Sequence, residues 1–173
     1  MRQLAGDVRL VIDATGFLHD EHVVPEKSWR DLDTAQMAQA FAVSAIGPAL
    51  LMKYFLPLLP SKGRSVFATL SARVGSIGDN HLGGWYSYRA SKAALNQFVR
   101  TAAIELARRK PDAICVALHT GTVATPLSAP FAKSGLDIQA PAEAAQRLLD
   151  VLEHLPASAN GCFFDHHGLR VPW

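Results

Sequence analysis

An α/β fold with a parallel sheet is predicted by three features of this 173-residue sequence. Short apolar runs alternate with long helical patterns, the order that crossover connections turn into a parallel sheet. The first three runs, residues 8–12, 65–70 and 113–118, carry almost no polar alternation, as expected of strands covered by helices on both faces. Each leads into a polar or glycine-bearing stretch, starting at Asp13, Ser71 and His119. Ligands on such sheets bind beyond the carboxyl ends of the strands, so the chemistry is sought there.

Taken in order, residues 8–12 are a β-branched-rich strand that ends in the turn Asp13, Ala14, Thr15, Gly16. Residues 19–31 read as a surface loop. Asp33 or Thr34 caps a helix whose apolar positions are Met37, Phe41, Ala45, Leu51, Phe55 and Leu58. Gly47 and Pro48 predict a kink or shift within it, and Pro57 and Pro60 its end. A second strand covers 65–70, and a glycine-rich loop runs from 71 to 84. A long helix over about 85–109 is broken by Pro111 and Asp112. The third strand covers 113–118 and a loop follows to residue 139. Pro141 suits a first helical turn, and Leu148, Leu149, Leu152 and Leu155 give that helix an apolar face. Asn160 and Gly161 turn the chain into a last strand at Cys162, Phe163 and Phe164.

With 49% apolar and 18% charged residues, disorder is excluded and one domain over residues 1–173 is expected. Its length allows burial of roughly two-thirds of the unfolded surface. The net charge of +2 leaves no basic stripe for nucleic acid; Arg108, Arg109 and Lys110 sit where cations complement a helix C-terminus. Two cysteines, Cys115 and Cys162, make no disulfide framework and read as free thiols of a reducing compartment. Residues 1–7 lack a signal-peptide apolar region, and no run reaches the roughly 18 apolar residues needed to span a bilayer. A cytoplasmic protein without a membrane partner is the expectation. His166 and His167 read as a polar turn, and no metal site is expected.

The sharpest local signal is Tyr88 and Lys92, four apart in a helical segment and therefore on one face. A phenol with its ordinary pKa near ~10 is a poor base at neutral pH. A nearby ammonium favours the phenolate; a drop of about three units needs roughly 4 kcal/mol. Tyr88 is then expected to exchange a proton with an alcohol or a carbonyl oxygen.

Around this pair the sequence resembles the short-chain dehydrogenase/reductase family along nearly its whole length. Asp13, Ala14, Thr15 and Gly16 are similar to the family's Asn-Asn-Ala-Gly turn after the fourth strand. Residues 41–48 resemble its mid-helix segment, residues 70–76 its loop after the fifth strand, and residues 119–126 its Pro-Gly loop. Gly83, Gly84, Trp85, Tyr86, Ser87, Tyr88 and Arg89 resemble the C-factor and sniffer-type carbonyl reductases. The resemblance implies a Rossmann-type sheet, of which about four strands, matching the C-terminal part, are present. It implies NAD or NADP as cofactor, a small carbonyl or alcohol substrate, and a homo-oligomer through the long helices. Ala14, Thr15, Gly16, Tyr88, Lys92, Gly121, Val123 and Thr125 become the expected cofactor contacts. Trp85, Tyr86, His119 and Phe131 become candidates for the pocket wall, each weighed against a packing role.

Departures from the family pattern are equally plain. Its Asn-Ser-Tyr-Lys tetrad is matched at Tyr88 and Lys92, but the asparagine position falls on Ser44 and the serine position on Ala72. Ser71 and Ser76 flank it as candidate replacements. Thr120 stands for the proline of the Pro-Gly loop. The glycine-rich turn that meets a pyrophosphate at a helix N-terminus has no counterpart here, so a domain lacking the phosphate-binding βαβ part is expected. The first strand then becomes an open edge. A non-catalytic remnant or dimerisation module of the same fold is the alternative that these departures favour.

Overall fold

The computed structural model describes residues 7–131 and 137–173. The expectation for the extreme N-terminus concerns residues 1–6, which lie outside the described residues. Four strands form one parallel sheet: β1 (Leu10–Asp13), β2 (Ser65–Ser71), β3 (Ala113–His119) and β6 (Phe163–Asp165), in the order β1-β2-β3-β6. In-register pairs such as Asp13 with Thr69 and Ser71 with His119 set the strand ends side by side. The loop expected after β3 holds a second, two-stranded parallel pair, β4 (Thr122–Val123) and β5 (Ile138–Gln139).

Both faces of the sheet are covered, as the unbroken apolar strands required. Phe67, Cys115 and Ala117 pack with Met52, Leu95, Val99 and Ala103 on one face. Their neighbours Val66, Ala68, Ile114, Val116 and Leu118 pack with Leu148, Leu152 and Leu155 on the other. Alternate side chains of one strand thus enter two separate cores.

The first helical run begins at α1 (Thr34–Phe41), where the Asp33 carboxylate accepts the Gln36 N–H at 2.9 Å. It passes through a π-turn (Ala42–Ile46) into α2 (Gly47–Phe55) and ends in a short 3₁₀ turn (Leu56–Leu58). The shift expected at Gly47 and Pro48 takes the form of that π-turn: Pro48 has no N–H to give the carbonyl four residues back, and Gly47 donates instead to Ala42. Of the expected apolar positions Ala45 is buried and Leu51 and Phe55 pack against the core, while Met37, before the π-turn, and Leu58, after it, are exposed; the fully buried stripe also takes in Ala40, Ser44, Pro48 and Met52. By length and composition this run, Thr34–Leu58, is also apolar enough to cross a bilayer, with a mean hydropathy of 1.5, a test that the core helix of a globular protein passes as well. Here it packs on the sheet and on α3 (Tyr86–Arg109).

Helix α3 is as long as expected. Beyond its end, Lys110 extends its ammonium to the carbonyls of Leu56 (2.9 Å), Pro57 (2.8 Å) and Leu59, so the cation complements the end of a neighbouring helix. Helix α4 (Pro141–His154) starts on proline and buries Leu148 and Leu152; Leu149 is 42% exposed, one position off the stripe. Cys115 is buried and Cys162 half-buried, both as free thiols. Strand β1 carries Leu10 and Ile12 at 46% and 42% exposure on the outer edge of the sheet.

Candidate active site

The tips of β1, β2 and β3 and the first turns of α3 meet at one end of the sheet. Lys92 lies there at 2% exposure, and its ammonium donates to the Leu70 carbonyl at 2.8 Å. A β-carbon on Gly75 would sit 2.7 Å from Lys92 Cβ and 2.8 Å from its carbonyl carbon, so only glycine lets the loop after β2 lie this close to the helix. A β-carbon on Gly16 would lie 3.6 Å from Lys92 Nζ, which places the ammonium against the turn after β1. That turn is tied by buried Asp13: its carboxylate accepts the Thr15 N–H (2.9 Å), the Thr15 hydroxyl (2.7 Å) and the Thr69 hydroxyl (2.6 Å).

Burial lowers the Lys92 pKa to about 8, against an opposing pull from the Asp13 charge. Tyr88 is likewise governed by burial, which pushes its phenol up to about 12. The ammonium stands 5.9 Å from the Tyr88 ring centroid and bonds Leu70, so it does not override that effect. The expected depression of the phenol by Lys92 is therefore reversed in this geometry: desolvation wins, and Tyr88 is protonated at neutral pH.

Lysine titration gives a direct check. Between pH 8 and 10 the folded chain has released the Lys92 proton while the unfolded chain still holds it. The unfolded state binds more protons there, so stability rises with pH, by about 3 kcal/mol when the window is complete. Buried Cys115 and Tyr88, whose pKa values burial raises to about 12, act with the opposite sign above about pH 9 and 10, equally with or without Lys92, so the lysine gain is read as the native chain's difference from Lys92→Met. Urea unfolding of the native chain and of Lys92→Met at pH 7.5 and near pH 10 should show this gain only where the lysine is present. Parallel pH dependence of the two proteins would refute it.

Tyr88 lines a cleft of about 580 Å³. Its apolar wall is Leu18, Trp85, Leu127 and Phe131. The Trp85 ring meets Phe131 at 5.0 Å and Tyr88 at 6.3 Å, both edge to face. Gly121, Val123 and Thr125 line the side formed by the loop after β3, and Ser71 and Ala72 line the side formed by β2. His119 also faces the cleft; burial pushes its pKa down to about 4, so the ring is neutral near pH 7. Tyr86 is exposed on the helix surface and does not contribute to the lining.

The two serines weighed as replacements are placed differently. Ser71 reaches the cleft, but its hydroxyl donates to Asn96 Oδ1 at 2.6 Å. Ser76 is buried off the cleft, where its hydroxyl oxygen accepts the Asp79 N–H at 3.1 Å. Ser44 is also fully buried off the cleft, in the π-turn. It accepts from the Phe17 N–H (3.2 Å) and donates to the Phe17 carbonyl (3.3 Å), fixing the chain just after Gly16.

Three further residues hold the site together. Asn96 Oδ1 accepts from the Ser71 hydroxyl, and its Nδ2 donates to the Gly75 carbonyl at 3.2 Å. It continues the Tyr88–Lys92 spacing by one more turn, a signal the sequence carried. Arg73 on the cleft rim bridges Asp79 (3.1 Å) and buried Asp165 (3.0 Å), joining the β2 loop to the end of β6. Glu26 reaches from the loop before α1 to the start of α3, where its carboxylate accepts from the Ser87 amide (3.2 Å) and hydroxyl. Its partner is 61 residues away, and no local pattern marks it.

A parallel sheet with a Tyr–Lys face and a cleft at its strand tips defines a Rossmann-type oxidoreductase scaffold. The sequence matches the family described as enoyl-(acyl carrier protein) reductase over residues 2–153. It is 37% identical over 143 residues to C-signal of Myxococcus xanthus, covering 83% of this chain and 82% of that protein. It is 34% identical to a 1-hydroxy-2-glutathionyl-2-methyl-3-butene dehydrogenase of Rhodococcus sp., covering 82% of this chain and 61% of that enzyme. NADPH-bound carbonyl reductase from chicken fatty liver superposes with a TM-score of 0.81 at 26% identity, over 98% of this chain and 67% of that one. The chain belongs to the short-chain dehydrogenase/reductase family.

Proposed function

We propose that this chain carries the substrate and nicotinamide half of an NAD(P)-dependent carbonyl reductase site. The observation that carries the proposal is Tyr88, protonated on the wall of an apolar cleft, one helical turn before buried Lys92. A bound nicotinamide supplies or takes the hydride. Tyr88, protonated at neutral pH, gives its proton to the carbonyl oxygen as the hydride arrives. Trp85 and Phe131 exclude water and orient an apolar carbonyl compound. Lys92 has three N–H groups and gives one to Leu70, leaving donors for ribose hydroxyls. Ala14, Thr15 and Gly16 on one side, and Gly121, Val123 and Thr125 on the other, would flank the nicotinamide and its ribose.

The pyrophosphate is a different matter. The N-termini of α1 and α3 are capped by the carboxylates of Asp33 and Glu26, whose charge opposes a phosphate there. These two helix starts therefore do not suit the phosphates, while the residues around Tyr88 and Lys92 fit the nicotinamide end of the cofactor. We place the 173 residues as one unit, the C-terminal part of the family's sheet, in a soluble, cytoplasmic setting that suits its two free thiols. The open edge of β1 is where further strands of such a sheet pair. Exposed Val43, Ile46, Leu50 and Phe98 along α1–α2 and α3 suit a homo-oligomer.

A second reading, an interaction module without turnover, is favoured by one observation: Ala72 has no hydroxyl, and that of Ser71 is committed to Asn96. One experiment separates the two. The chain is mixed with NADPH or NADH and a panel of aldehydes and ketones, and nicotinamide oxidation is compared with alcohol formed. Stoichiometric alcohol supports the reductase. A folded chain with no turnover across the panel removes it and leaves the module.

A further inference from the structure

We propose that Glu26 is a positioning residue that clamps the turn into α3, setting Trp85 as a wall of the cleft beside Tyr88; the proposal rests on the reductase reading and deepens it. The chain enters α3 through Gly83, Gly84 and Trp85, with φ values of 64°, 67° and 52°. Two glycines adopt the left-handed region freely; Trp85 does so against the crowding of its own β-carbon. Such a residue persists only where its surroundings hold it.

Glu26 supplies that hold. Its backbone carbonyl accepts the Trp85 N–H at 2.5 Å. Its carboxylate accepts from the amide of Ser87 at 3.2 Å and from the Ser87 hydroxyl. The side chain is buried, with Glu26 only 3% exposed, and among the described residues it pairs with no lysine, arginine or histidine. Its negative charge instead faces the positive end of a 24-residue helix. From inside the helix, Arg89 donates to the carbonyls of Gly83 (3.1 Å), Gly84 (2.9 Å) and Val74 (3.2 Å). The turn is thus gripped from both sides.

The clamp delivers the Trp85 ring to Phe131 and Tyr88. Were it released, Trp85 would relax to an ordinary negative φ, and its ring would leave the cleft. Glu26→Gln tests this at constant size: the backbone carbonyl stays, while an NH₂ replaces one acceptor facing Ser87. The chain is labelled with 5-fluorotryptophan, and the Trp85 line among its three tryptophans is assigned with Trp85→Phe.

Glu26→Gln should move and broaden the Trp85 line while those of Trp29 and Trp173 stay. It should also lower kcat by about tenfold or more, with a smaller change in KM. An unmoved Trp85 line, an unchanged kcat, or a fall in Tm alone overturns the proposal. The fluorine signal needs no turnover. A moved line in a chain without reductase activity upholds the clamp and removes only the reductase reading. Should Glu26→Gln fail to fold, Ser87→Ala removes one bond of the clamp. The same Trp85-specific change is expected there, and its absence is equally fatal.

Discussion

Tyr88→Phe should lower carbonyl reduction by about 10² to 10⁴-fold, the usual contribution of a positioned general acid. The ring would keep its place, because Trp85 packs against its edge and that contact does not involve the hydroxyl. Among the described residues the phenol oxygen has no hydrogen-bond partner, so its removal strands no buried group. Stability should therefore change little, which separates lost chemistry from lost fold. The measurement is kcat and KM for the best aldehyde or ketone, with urea unfolding of the same samples. The loss should fall on kcat, since the proton moves only as the carbonyl is reduced. A variant that turns over at the native rate would remove Tyr88 from the mechanism.

Gly75→Ala should show the second large effect, acting on fold and site together. The added methyl would lie 2.7 Å from Lys92 Cβ and 2.8 Å from its carbonyl carbon, and backbone on that scale cannot step aside as a flexible side chain can. Relief requires the loop after β2 to lift off α3. That motion pulls on the Gly75 carbonyl held by Asn96, and through Asn96 on Ser71. An overpacked contact of this kind costs about 1–3 kcal/mol. The displacement would reach the catalytic face as well, where a misplacement of about 1 Å can cost 10²-fold in rate. Both should appear together, as a lower urea midpoint and a lower kcat. An alanine variant with native stability would show that the loop and helix are not locked at this point.

Local chemistry made most of the scaffold readable. Strands β2 and β3 and helix α3 announced themselves because buried parallel strands have no polar face and a 24-residue helix has room to show its period. The two-residue strands β4 and β5 were hidden, since pairs that short leave no periodic trace. Along α1–α2 the expected face held at Ala45, Leu51 and Phe55, but the π-turn, which displaces every later side chain by a fraction of a turn, left no sequence mark, and Leu58 beyond it lies outside. At the site, Tyr88 and Lys92 were legible as a spacing, but their proton affinities were not. Those depend on how much water the fold removes, a three-dimensional quantity. Ser71 and Ser76 looked equivalent in sequence, and only the fold separates one at the cleft from one capping a turn. Glu26 was silent for the same reason: a bond across 61 residues leaves no local mark.

The outer edge of β1 has a practical consequence. Among the described residues no strand pairs with that side of its backbone, which lies between side chains as greasy as Leu10 and Ile12. Such a border is adhesive, and whichever extended segment reaches it first will extend the sheet. In a concentrated preparation that segment is apt to be the border of another molecule, so handling losses should grow steeply with concentration. A lysine in place of Ile12 would blunt the border without touching the cleft, and is the natural first change for anyone purifying this protein.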